Sequence, residues 1–100
     1  MSDLQTSLRS LSPKLYEYMM EKLEEEFHIQ PYDIQMNAIK NEKGFEIIVT
    51  YGERFAHRSE QFMTFQSIKK RDEIVNKFIR KTGETCKQVL IDDYFRKMTP

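Results

Sequence analysis

The chain predicts an α+β fold: an N-terminal helix, an antiparallel meander of three or more strands, and one or two C-terminal helices packed on one sheet face. Three observations carry this expectation. Apolar residues recur every third or fourth position from Leu15 to Phe27 and again from Ile68 to Ile79, which is helical spacing. Between Tyr32 and Phe65 they alternate with polar residues, the period of a strand with one buried side. The three glycines, Gly44, Gly52 and Gly83, fall between these blocks, where turns and helix ends are expected. One hundred residues suit a single hydrophobic core, so residues 1–100 are read as one domain.

The elements follow in order. Leu4, Leu8 and Leu11 have helical spacing, which points to a short lead-in helix within residues 1–11. Ser12 can accept hydrogen bonds from a first helical turn and Pro13 tolerates the first helical position, so a helix is predicted over 13–27. Leu15, Met19, Leu23 and Phe27 form its apolar stripe, and Glu17, Glu21, Glu24 and Glu25 make its outer face acidic. Pro31 cannot continue a helix. Strands are predicted over 32–40, 45–51 and 55–65, with Asn41 to Gly44 as the first turn, Gly44 taking a positive φ, and Gly52 to Arg54 as the second.

A second helix is predicted over 67–82, capped by Ser67 and ended by Gly83. Ile68, Ile74, Val75, Phe78 and Ile79 form its apolar side, and Lys69, Lys70, Lys77, Arg80 and Lys81 share a basic arc. Residues 85–97 form either a third helix started by Thr85, with Cys86, Val89, Leu90 and Tyr94 in line, or a strand through the β-branched and aromatic cluster from Val89 to Phe95.

Composition narrows the function classes. No apolar run approaches the roughly 20 residues of a membrane span, and Met1 to Ser10 carries Asp3 and Arg9 among isolated leucines, so neither a membrane span nor a signal peptide is expected. Cys86 is the only cysteine, which suits a reducing, cytoplasmic location. The net charge is zero, but residues 1–50 carry four more acids than bases and residues 51–100 the reverse. Two faces of opposite sign can attract a second copy or a charged partner.

No metal or cofactor is expected, because His28, His57 and Cys86 have no ligand spacing and the glycines are too isolated to cradle a phosphate. Glu24 to Glu26 and the pair Asp92 and Asp93 do not converge on a helix, where neighbours diverge by about 100°. No catalytic constellation is visible, so the chain is read as non-enzymatic. Ile48 and Thr50 lie on the sheet side opposite Phe45, Ile47 and Val49, which makes the outer sheet face partly apolar. The resulting expectation is a protein-interaction module that self-associates as a homodimer, or binds another protein, through Ile48, Thr50, Phe55 and Phe62. Arg71 falls within the apolar arc of the second helix: either its stem packs there while its head reaches the rim, or it pairs with an acidic residue from another element or chain.

The order of elements, the Pro31-Tyr32 entry to the first strand and the run Lys69-Lys70-Arg71 resemble the double-stranded RNA-binding domain family across residues 13–81. That resemblance implies phosphate contacts from the start of the second helix, and Lys69, Lys70, Lys77, Arg80 and Lys81 are the candidates for nucleic-acid binding, the alternative to protein interaction. Asp72 and Glu73 beside them oppose phosphate. In its Lys-, Glu-, Ile-, Phe- and Met-rich usage and its helix–sheet–helix order, the chain also resembles small α+β proteins of low-GC Gram-positive bacteria. That likeness implies no site residues.

Overall fold

The structure of the chain, a computed structural model, describes residues 5–98. It is an α+β fold whose elements run β1 (Thr6–Ser7), α1 (Leu8–Leu11), α2 (Pro13–Phe27), β2 (Ile34–Lys40), β3 (Gly44–Tyr51), β4 (His57–Thr64), α3 (Phe65–Lys70) and α4 (Glu73–Met98). The four strands form one antiparallel sheet in the order β1-β2-β3-β4. The lead-in expected within residues 1–11 is helical only over α1, because Thr6 and Ser7 pair with Ala38 and Asn37 as a short edge strand. Leu4, the first residue of that expected stripe, lies outside the described residues.

Helix α2 matches its predicted bounds. Pro13 occupies its first turn, and the main-chain carbonyl of Ser12, rather than its side chain, accepts from Tyr16 N–H at 3.0 Å. Its C-terminus turns at His28, in the left-handed region at φ 59°, whose N–H returns to Glu24 O. The β2–β3 hairpin closes on Asn41, whose Oδ1 accepts from Lys43 and Gly44 N–H. Gly44 does not take the positive φ expected of it; among the glycines that role belongs to Gly52. Gly44 is small for another reason: a Cβ there would lie 2.0 Å from Met63 O, so β4 can approach only an unsubstituted residue. The third strand is shorter than 55–65, because Glu53–Phe55 form a 3₁₀ turn with Arg54 and Phe55 at positive φ.

The main departure from expectation is the C-terminal half. The helix expected over 67–82 breaks at Arg71, a left-handed residue at φ 52°, and a new helix begins at Glu73. Thr64, not Ser67, caps α3 by accepting from Ser67 N–H at 3.1 Å. Asp72 serves α4 in the same way, its Oδ1 accepting from Ile74 N–H at 3.0 Å. Gly83 ends nothing and Thr85 starts nothing: α4 is one helix of 26 residues, which also excludes the strand considered for 85–97. The physical reason is packing. Gly83 is buried against the Phe27 ring, where an added Cβ would lie 2.4 Å from ring carbons, so the missing side chain lets α2 and α4 touch.

Both helices lie on the inner sheet face. Leu15, Met19 and Leu23 of α2 and Val75, Phe78, Ile79 and Cys86 of α4 close over Met36, Ala38, Ile47, Val49, Tyr51 and Met63 in one core. Tyr18 Oη donates to Asn76 Oδ1 at 2.5 Å, a polar tie between α2 and α4.

Gly83→Ala should lower stability despite the roughly 1 kcal/mol that alanine adds to a helix interior, because overpacking against Phe27 costs about 1–3 kcal/mol. Phe27→Leu in the same chain should recover part of the loss. Urea titration of the three variants measures both effects, and a more stable Gly83→Ala chain would contradict this account of the helix contact.

Candidate interaction surfaces

The outer sheet face is not the surface the sequence suggested. Strand register sets Ile48 between Asn37 on β2 and Glu60 on β4, with Glu46 and Thr50 flanking it on its own strand. These side chains shield it: Ile48 is 2% exposed although it stands outside the main core. Thr50 Oγ1 donates to Gln35 Oε1, Asn37 Nδ2 donates to Gln5 Oε1, and Arg58 pairs with Glu60 across the same face. Ile48 is therefore withdrawn as a contact. Thr50 and Phe62 are half-buried, and Phe55 leaves the sheet altogether for the turn before β4.

Arg71 also has a different place. As the left-handed residue ending α3 it is not in an apolar helical arc; its guanidinium lies 4.9 Å from the Tyr18 ring centroid and donates to Ile68 O. The partner expected to be acidic is an aromatic face of α2. The basic residues are divided by the same break. Lys69 and Lys70 end α3, Lys77 and Lys81 line a groove beside β4, and Arg80 faces a groove with Tyr18, Lys22 and Glu26 on the α2 side. No single helix face gathers all five.

Two surfaces emerge in their place. The last turns of α4 carry Ile91, Tyr94 and Phe95, 39%, 60% and 62% exposed, around a concavity shared with Phe27 and Leu90. A second concavity, sharing Leu90 and Tyr94 with the first, extends the surface to Phe55 and to Tyr32, itself 81% exposed. Ordinary helical periodicity from Cys86 marks Tyr94 as core; it is exposed because α4, about 39 Å long at 1.5 Å per residue, outruns the roughly 27 Å of the eight-residue β3. The second surface is a groove of about 490 Å³ between β4 and α4, lined by Ser59, Glu60 and Gln61 on the strand and chiefly by Ile74, Lys77, Phe78 and Lys81 on the helix. Ile74, expected in the core stripe, is 47% exposed there because the helix restarts at Glu73.

The residues considered for chemistry have separate surroundings. Cys86 is buried, and burial first and the Asp33 carboxylate second push its thiol up to about 12. His57 stacks on the Tyr51 ring at 5.9 Å. Asp93 Oδ2 accepts from Glu53 N–H, and Asp92 Oδ1 from Gln88 Nε2. Among the described residues no group of three His, Cys, Asp or Glu side chains is placed to hold a metal ion, and no helix is long and apolar enough to cross a membrane. The buried Thr82 hydroxyl, in the wall of the β4–α4 groove, has no hydrogen-bond partner among the described residues. Comparison with family models, with curated proteins and with solved structures finds no match.

Two predictions follow from the buried groups. Thr82→Val keeps the shape and removes an unsatisfied hydroxyl, so it should stabilise the fold by about 1 kcal/mol, read as a higher urea midpoint. Cys86 is protonated in both folded and unfolded chains at neutral pH. From its ordinary 9.0 to about 12 only the unfolded chain ionises, so this contribution to stability is complete below that window and is lost as pH rises through it. Cys86→Ala should show a shallower alkaline decline than the parent in thermal melts, and the native thiol should resist a thiol reagent at neutral pH.

Proposed function

We propose that the chain is a non-enzymatic interaction module that forms a homodimer through the ends of α2 and α4. The observation that carries this reading is the exposed apolar surface of Tyr32, Ile91, Tyr94 and Phe95. Aromatic side chains cover 150–250 Å² each, so the exposed parts of these three rings together with Ile91 offer on the order of 400 Å² of apolar area. A standard interface takes about 800 Å² from each partner, of which somewhat over half is apolar. The surface is the size one subunit contributes.

Its rim supports a second copy as the occupant. Glu24 and Glu25 are exposed on the last turn of α2, while Lys87 and Lys97 flank the aromatic groups on α4. A twofold axis between the two helix ends lays the acidic side of one copy over the basic side of the other. The charge imbalance between the halves of the sequence then becomes a self-complementary border. A cytoplasmic, reducing location belongs to this reading and is supported by the free, buried Cys86.

Sedimentation velocity over a concentration series tests the proposal. The parent should show a concentration-dependent dimer, and Tyr94→Ser with Phe95→Ser should weaken it at least about tenfold, two exposed aromatic anchors each contributing upward of 1 kcal/mol. These exposed positions leave the helical circular dichroism unchanged in outline. A parent that remains monomeric at about 1 mM, well above the micromolar range of weak interfaces, would refute it.

A further inference from the structure

We propose that β4 and α4 form a docking groove for an extended, acidic segment of another protein, which joins the sheet as a fifth strand. The inference is independent of self-association, because its residues are distinct from the aromatic surface. Strand β4 pairs with β3 on one side and, among the described residues, has no strand on the other. The register fixes which main-chain groups are left over. Phe65 N–H donates to Lys43 O at 3.1 Å, one step beyond the Gly44–Thr64 pair, so the bonded pairs continue as Phe45–Met63, Ile47–Gln61, Val49–Ser59 and Tyr51–His57. The alternate residues Arg58, Glu60 and Phe62 therefore turn their N–H and C=O groups toward the open edge. Gln61 Nε2 donates to Phe62 O, so an exposed side chain already occupies one of these acceptors.

A strand laid along this edge places every second side chain under α4, in the groove described above. Ile74 and Phe78 provide apolar wall there, and Lys77 and Lys81 are exposed and make no ion pair among the described residues. The two lysines rise about 6 Å along the helix, close to the roughly 7 Å between same-face residues of a strand. Glu60, at the groove's margin, is paired with Arg58, which offsets its charge. The groove thus favours an apolar side chain and nearby carboxylates from the incoming segment. A second copy is the poorer occupant: edge-to-edge pairing about a twofold axis would bring two sets of the same lysines together.

A display library of random peptides of about ten residues, panned against the intact chain, tests this. Enrichment of peptides with alternating apolar and acidic positions is expected. In amide exchange, a selected peptide should protect Arg58, Glu60 and Phe62. Lys77→Glu with Lys81→Glu should weaken its binding about tenfold or more. Glu60→Pro should abolish binding while leaving the β3–β4 ladder paired, since the lost N–H faces the open edge. No enrichment, enrichment of basic peptides, protection at other amides, or an edge occupied by a second copy would overturn the proposal.

Discussion

The contact between Phe27 and Gly83 governs this molecule. A side chain at position 83 would meet the Phe27 ring at 2.4 Å, so the ring or the helices carrying the pair would have to shift. Because the glycine sits in the middle of a helix rather than at its end, α4 continues for another four turns. Its first half closes the core through Val75, Phe78 and Ile79; its last turns run past the sheet with Ile91, Tyr94 and Phe95 exposed. The same contact that completes the interior creates the surface.

A different device protects the sheet. Strand β3 is central and apolar on both sides, which would leave Ile48 facing water, yet cross-strand polar neighbours cover it to 2% exposure. Three of the covering residues are themselves held by polar partners on that face, Asn37 by Gln5, Thr50 by Gln35 and Glu60 by Arg58. The proposed contacts therefore lie at the margins rather than on the flat face. One edge is occupied in part by β1, whereas β4 carries charges at Arg58 and Glu60, a common restraint on indiscriminate edge pairing.

Helix α4 links the two proposed surfaces. Near its start, Lys77 and Lys81 stand over the open edge of β4; near its end, the aromatic groups meet the last turn of α2. A helix this rigid allows both surfaces to be presented at once without sharing a residue. The acidic residues Glu24 and Glu25 of α2 and the basic residues Lys77, Lys81, Lys87 and Lys97 of α4, of opposite charge, are all exposed.

Periodicity and turn chemistry by themselves determined the α+β class, the bounds of α2, the β2–β3 hairpin and the inward set from Met36 to Tyr51, because each rests on neighbours within a few residues. Tertiary structure decided the rest. Gly83 reads as a helix stop from local propensity, which favours glycine at helix ends, but burial against Phe27 outweighs that preference. Arg71 reads as part of a continuous helix because the apolar spacing runs on through it and outweighs the cap that Asp72 offers, while the left-handed break is supported by Tyr18 from a distant element. Ile48 reads as exposed because its shielding comes from two other strands, and Tyr94 as buried because periodicity counts turns without knowing where the sheet ends. The interaction surfaces therefore depended on long-range packing that no window of the sequence contains.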